Sequence, residues 1–204
     1  KLKNMPEYAA NYENLQRVPF QPARNFYEAV QSIWFTFAFI RLCGNWPGIG
    51  RLDVLLGEYL KNDLANGTLT KEEAYELICD FFLDCNIDSD LYPGMQQGDN
   101  GQSVVLGGVD ENGEEVFNLL SELCLEASRN LLMIDPKINL RVGKNTPDEL
   151  YVLGTRLTKQ GLGFPQYSND DVVIDALVKL GYDIRDIEEQ ESQSGFPQRE
   201  HKGS

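Results

Sequence analysis

Histidine is nearly absent from this 204-residue chain; the only one, His201, sits in a polar C-terminal stretch. Histidine-based catalytic triads and histidine-ligated metal sites therefore have no material in the body of the chain. Basic charge is scarce as well, with 18 Lys and Arg against 32 Asp and Glu and a formal net charge of -14. Nucleic acids and anionic membranes call for clustered cations that displace counterions, and no long basic run occurs, so neither is expected as a partner. Cysteine is limited to Cys43, Cys79, Cys85 and Cys124, with no C-x-x-C pair. Reduced, buried thiols are the expectation, not a disulfide framework. The most apolar run, Ile33 to Ile40 with Thr36 its only polar member, falls well short of the ~20 residues of a membrane span and reads as a core helix. No basic-plus-apolar leader precedes the body, and Lys1 is not an initiating residue. These absences lead us to expect a cytoplasmic chain that begins within a longer sequence.

What is present is a globular composition, 42% hydrophobic and 10% aromatic, enough for one substantial core or part of a larger one. Residues 1–22, with Pro6, Pro19 and Pro22, read as an N-terminal arm. From Ala23, apolar positions at Phe26, Val30, Ile33, Trp34, Phe37 and Ile40 trace one helical face. Phe35 and Phe39 widen that stripe, which predicts burial on most sides. A second helix is expected from Leu52 to the Asn66-Gly67 turn. Thr70 and Glu73 match a capping box that opens a third helix.

The texture then changes. Tyr92 to Gly101 is a loop rich in glycine and amides, and Ser103-Val104-Val105-Leu106 reads as a short strand closed by Gly107-Gly108. Val116 through Leu131 predicts an amphipathic helix, and Ile138 to Val142 alternates as a second strand. Thr146-Pro147-Asp148-Glu149 looks like another capping box, Phe164 to Tyr167 like an extended link, and Asp170-Asp171 like a helix start. The order predicts α/β units with a mainly parallel sheet and residues 23–90 as helices outside it. Residues 188–204, with Phe196 the only large apolar residue, are expected to form a disordered tail.

Generic chemistry is thin. Asp88 and Asp90, or Asp170 and Asp171, offer paired acids, but carboxylates at a helix start are favoured as dipole partners over metal ligands. Gly48-Ile49-Gly50-Arg51 is a weak phosphate-loop pattern without a preceding strand. Cys124 and Glu126 lie about 200° apart around a helix, so they do not act together. The loop feeding the first strand crowds Asp99, Gln102 and Ser103 together. Spacing alone leaves open whether these hold a small polar substrate or satisfy a tight turn.

Three ordered motifs weigh on that choice: Asp99-Asn100-Gly101-Gln102-Ser103-Val104-Val105-Leu106-Gly107-Gly108, then Ile134-Asp135-Pro136-Lys137-Ile138-Asn139-Leu140-Arg141, then Gly161-Leu162-Gly163-Phe164-Pro165-Gln166-Tyr167-Ser168-Asn169-Asp170-Asp171. With Gly50-Arg51-Leu52-Asp53 and Ala23-Arg24-Asn25-Phe26-Tyr27-Glu28-Ala29-Val30 upstream, the chain from Ala23 to Ile187 resembles the pyruvate formate-lyase-like family of glycyl-radical enzymes. The resemblance implies an α/β fold, about one half-barrel of a ten-stranded barrel with a helical exterior, and a domain spanning 23–187. It implies homo-oligomers, a small-molecule substrate, and a glycyl radical installed by a radical S-adenosylmethionine activating enzyme. That radical passes to a barrel cysteine, and the family includes acyltransferases, C–C lyases and dehydratases. No cofactor is expected bound to this chain itself.

No cysteine follows Cys124, and neither a cysteine loop nor a terminal glycine motif follows Gly181. The expectation is a fragment without catalytic residues or a metal site, inactive alone. Substrate-wall candidates are Asp99, Gln102, Ser103 and Arg141, with a structural role favoured for Arg141 and a helix-capping role for Asn169. The alternative is a non-catalytic half-barrel module that binds a small polar ligand or pairs with a second polypeptide.

Overall fold

The computed structural model describes residues 5–43, 48–86, 102–110 and 113–182. The predicted loop 92–101, with Asp99, the acids Asp88 and Asp90, and the tail with His201 lie outside these residues.

A 3-10 turn at Pro6–Tyr8 and helix α1 (Ala9–Leu15) precede the long helix α2 (Phe26–Leu42). Asn25 caps α2 by accepting from the Glu28 amide at 2.8 Å, which satisfies one of the amides a helix start leaves unpaired. The Phe26 amide donates to the Asp63 carboxylate at 2.8 Å, tying α2 to helix α3 (Leu52–Asn66). Gly67 ends α3 with φ of 67°, a left-handed conformation that glycine adopts without a Cβ penalty. Helix α4 (Lys71–Asp84) opens with both halves of the Thr70–Glu73 capping box in place. Trp34 of α2 meets Phe81 of α4 edge-on at 6.3 Å, an arrangement that aromatic quadrupoles favour.

Four strands, β1 (Gly50–Arg51), β2 (Ser103–Gly107), β3 (Lys137–Val142) and β4 (Gln166–Asn169), form one sheet in that order, all parallel. Parallel neighbours need long crossovers. Helix α5 (Leu119–Leu131) makes the one from β2 to β3, and α6 (Asp148–Thr158) the one from β3 to β4. Asn118 caps α5 in a reciprocal box with Ser121. Helix α7 (Asp170–Lys179) follows β4 directly. The core lies between one sheet face and the helices, and Val104, Leu106, Ile138 and Leu140 are fully buried there beside Leu120, Ala127 and Leu150. None of the described helices is long and apolar enough to cross a membrane.

The α/β order with a parallel sheet and outer helices is as expected, but several local readings are corrected. The link Phe164–Tyr167 gives way to a fourth strand, because β3 offers a free edge that pairs Asn139 with Gln166 and Arg141 with Ser168. Gly50 and Arg51, not expected to be a strand, form the short strand β1, and no strand precedes them among the described residues. Thr146 does not cap α6: its hydroxyl donates to Glu115 at 3.0 Å and accepts from the Gly143 amide at 2.8 Å, and Pro147 holds the cap position. Helix α5 starts at Leu119, so Val116 precedes it. Helix α2 is not buried on most sides, since Phe39 is 68% exposed and Leu42 85%. The four thiols are free, but Cys43 is exposed and Cys79 half-buried, so burial holds only for Cys85 and Cys124.

Candidate functional site

Side chains alternate across a strand. With Val104, Leu106, Ile138, Leu140 and Val142 packed in the helical core, the opposite face carries Ser103, Val105 and Gly107 of β2 and Lys137, Asn139 and Arg141 of β3. Tyr167 of β4 turns toward α6, its hydroxyl 3.4 Å from that of Thr158, so Gln166 and Ser168 share the polar face. The register sets these residues in rows: Ser103 beside Lys137, then Arg51, Val105, Asn139 and Gln166, then Gly107, Arg141 and Ser168. The helix-facing side is apolar and closed. The other is mostly polar, with Val105 its buried apolar member.

At the C-terminal ends of the strands, four charged groups form a buried network. The Arg141 guanidinium donates from Nε to Asp170 Oδ1 at 2.9 Å, and both side chains are nearly inaccessible, 3% and 5% exposed. Asp170 also accepts from the Val109 amide at 3.2 Å. Arg51 donates to the Val109 and Gly107 carbonyls at 2.8 and 2.9 Å. Asp53 accepts from the Gly107 amide at 2.7 Å, the Ser121 hydroxyl at 2.8 Å and the Val54 amide at 2.9 Å. Burial, with the like charge of Arg141, lowers the Arg51 pKa from its ordinary value, opposed by Asp53, Asp170 and Asp110. Burial raises the Asp53 pKa despite its hydrogen bonds and Arg51. Glycine at 108 makes the ion pair possible: with φ of 78°, a Cβ there would lie 2.6 Å from Arg141 Cβ and 2.7 Å from Asp170 Oδ2.

The candidates read from the sequence separate on this framework. Ser103 stands on the polar face, and Arg141 shares it but is held by Asp170. Gln102 turns to the other side, buried, donating from Nε2 to the Cys85 carbonyl at 3.2 Å. Asp99 lies outside the described residues, so two of the four share the polar face, Ser103 and Arg141, and these stand two register rows apart. Asn169 occupies the N-cap position of α7 without a side-chain capping bond. Asp170 and Asp171 stand in the first turn of α7, where the helix dipole favours them. Their hydrogen bonds reach elsewhere, Asp171 accepting from the Lys144 amide at 2.7 Å.

Asn139, Gln166 and Ser168 were not singled out beforehand. The alternation of β3 pointed to Asn139, whereas nothing local marked the polar β4 as a strand. Among the described residues, no group of three or more His, Cys, Asp and Glu is placed to hold a metal ion. The thiols are not on the polar face either. Cys85 and Cys124 pack in the helical core, where burial raises both pKa values; Cys79 packs against it from α4, and Cys43 follows α2 at the surface.

The pattern that defines the family described as "Pyruvate formate lyase-like" matches residues 2–191. Indoleacetate decarboxylase of Tractidigestivibacter scatoligenes is 32% identical over 170 residues, 80% of this chain and 19% of that protein. Isethionate sulfite-lyase of Bilophila wadsworthia is 32% identical over 183 residues, 83% of this chain and 21% of that protein. A solved structure describing 1,2-propanediol dehydration in Roseburia inulinivorans superimposes with a TM-score of 0.81 at 31% identity, covering 87% of this chain and 23% of that one. The chain thus spans about a fifth of the length of the curated relatives it matches. Its four-stranded parallel sheet and outer helices are part of a glycyl radical enzyme barrel, and the chain belongs to the pyruvate formate lyase-like family.

Proposed function

We infer that this chain forms one wall of the substrate chamber of a glycyl radical lyase or dehydratase, residues 23–187 making the barrel segment between an N-terminal arm and a polar tail. The observation that carries this reading is the polar sheet face opposite a sealed apolar one, an arrangement suited to a barrel that encloses a small polar molecule. A radical S-adenosylmethionine activase installs a glycyl radical on such enzymes, and that radical supplies hydrogen-atom abstraction from the substrate. The work of this chain is positional. Ser103 offers a hydroxyl to the substrate, and the Arg141–Asp170 pair fixes the strand ends so that the wall holds its shape. The helical core keeps water from the outer side of the sheet.

None of the four cysteines is assigned the hydrogen-abstracting role, since the two buried ones pack in the helical core away from the polar face. On this reading the chain carries no radical by itself, works in the cytoplasm within a homo-oligomeric enzyme, and needs the activase as a partner. The test is electron paramagnetic resonance after anaerobic incubation of the chain with the activase and S-adenosylmethionine. No glycyl doublet is expected from these 204 residues; a doublet arising from this chain would overturn the assignment.

A further inference from the structure

Four charged side chains, Arg51, Asp53, Arg141 and Asp170, none more than 7% exposed, surround one short stretch of backbone. It is the turn Gly107-Gly108-Val109 at the C-terminal end of β2. Gly107 donates its amide to Asp53, and its carbonyl accepts from Arg51. Val109 donates its amide to Asp170, and its carbonyl accepts from the other terminal nitrogen of Arg51. Between them, the Gly108 carbonyl accepts from the Val116 amide at 2.9 Å. Arg51 thus bonds to both ends of the turn.

Keeping β2 in the sheet does not require this network. The strand pairs with β3 over five residues, and Val104 and Leu106 anchor it in the core. As a device for stability the network is a poor one. Buried ion pairs gain little over apolar packing, and the two guanidinium charges oppose each other, Arg141 adding to burial in lowering the Arg51 pKa. What the network supplies is conformation. Gly107 and Gly108 stand at φ of 71° and 78°, and two glycines in succession make for loose backbone. A rigid fork of donors set on two carbonyls removes that freedom, as the single point charge of an ammonium does not. The turn also lies at the C-terminal ends of parallel strands, the side on which α/β sheets hold their ligands. A wall aligns a reactant best when its shape is fixed before the reactant arrives.

We propose that Arg51 is a positioning residue: by gripping both ends of the Gly107-Gly108-Val109 turn it fixes the rim of the chamber wall, and with it the orientation of a substrate held there. This rests on the reading of the chain as a chamber wall. The test uses the full-length, activase-treated protein with propane-1,2-diol, isethionate and indoleacetate as probes. Wild type is compared with Arg51→Lys, Asp53→Asn and, as a control, Leu157→Ala on the buried face of α6. Turnover is expressed per glycyl radical, counted by electron paramagnetic resonance, so that unfolded or unactivated protein does not enter. Amide hydrogen exchange is followed at Gly107 and Val109. Arg51→Lys keeps the charge without the fork, and should lose about tenfold in kcat per radical with KM changed by less than about twofold. Exchange at Gly107 and Val109 should quicken in it while exchange at Ile138 and Leu140 holds. Asp53→Asn still accepts from Gly107 but removes the charge beside Arg51, and should lose less. Leu157→Ala should lose stability and keep its kcat per radical. Unchanged kcat per radical in Arg51→Lys overturns the proposal, and so does an equal loss in Leu157→Ala, which would make the effect one of stability. If Arg51→Lys does not fold, Asp53→Asn decides on the same measure: a lowered kcat per radical supports the proposal and an unchanged one overturns it. If wild type turns over no probe, the enzymatic reading fails on its own, and exchange decides: quickening confined to Gly107 and Val109 supports the grip of Arg51, and uniform or absent change overturns it.

Discussion

The two faces of the sheet, built from the same strands, obey opposite rules. On the helix side, Val104, Leu106, Ile138 and Leu140 are fully buried in the hydrophobic core. On the other side, Ser103, Asn139, Gln166 and Ser168 present polar groups that the described chain does not use. Only at the strand ends does polarity become structural, where Arg141, Asp170, Arg51 and Asp53 join β1, β2, β3 and α7. The contrast separates what holds this segment together from what it offers to a ligand. Substitutions on the helix side and at the strand ends should cost stability; those of the open polar groups in the middle of the other face should not.

The largest effect is expected at Arg141. Arg141→Ala removes the ion-pair partner of the buried Asp170 carboxylate and leaves it the Val109 amide and the charge of Arg51, which should cost about 3–5 kcal/mol in urea unfolding of the full chain. The double variant Arg141→Ala/Asp170→Ala should recover part of that loss, because it removes the stranded charge along with its partner. A loss under about 1 kcal/mol in the single variant would mean that the strand ends do not depend on this pair.

Next in size is the apolar face. Leu140 is fully buried and packs close to α6, where a Cβ on Gly154 would come within 2.7 Å of Leu140 Cδ1. Leu140→Ala should cost about 3 kcal/mol, as a buried leucine leaves a cavity its neighbours fill only in part. If Leu140→Ala and Asn139→Ala cost the same, the two faces are not distinct.

A smaller, pH-dependent effect belongs to Asp53. Its folded pKa lies above the ordinary value of 3.8, burial being the main cause. Between 3.8 and that raised value, the folded state holds a proton that the unfolded state has released. The stability contributed by Asp53 is therefore fully present below 3.8 and is lost as pH rises through the folded pKa. Asp53→Asn cannot titrate, so the wild-type stability relative to this variant should fall with rising pH and then level off. Paired urea midpoints from pH 3.5 to 7, a range set around ordinary carboxylate values of about 4, measure it. A wild-type advantage that grows with pH would show that the hydrogen bonds from Gly107, Ser121 and Val54, with Arg51, outweigh burial.

Much of the helix side was legible in the sequence, because its signals are local. The period of apolar residues and the Thr70–Glu73 box mark α4, Asn66-Gly67 ends α3, and the valines of β2 and the alternation of β3 reveal those strands. The polar side was less so, because what defines it is long-range. Gln166–Asn169 has no apolar rhythm and becomes a strand only through its register with β3. The Arg141–Asp170 pair joins residues 29 apart in sequence, so Asp170 looked like a simple helix-start acid. The same cause undid the Thr146 box, whose hydroxyl is claimed by Glu115, 31 residues away. The apolar stripe of α2 overstated its burial because periodicity shows which residues share a face but not what covers it. Ser103 was singled out from its loop context and family motif, and the structure places it on the polar face. Asn139 and Gln166 needed the register to be seen as a pair.

The smallest effect is the sharpest check on the comparison, because it sets two asparagines against each other. Asn118 caps α5, accepting from Leu120 and Ser121, and its Nδ2 donates to the Asp53 carbonyl at 3.1 Å. Asn118→Ala should cost about 1–2 kcal/mol through the lost cap alone. Asn139 has the same chemistry and no such bonds, and its side chain leaves the core side of β3 untouched. Asn139→Ser should therefore move the unfolding free energy by less than about 0.5 kcal/mol. A loss for Asn139→Ser approaching that of Asn118→Ala would place the amide among the structural groups, and the polar face would lose its claim to be held open for a ligand.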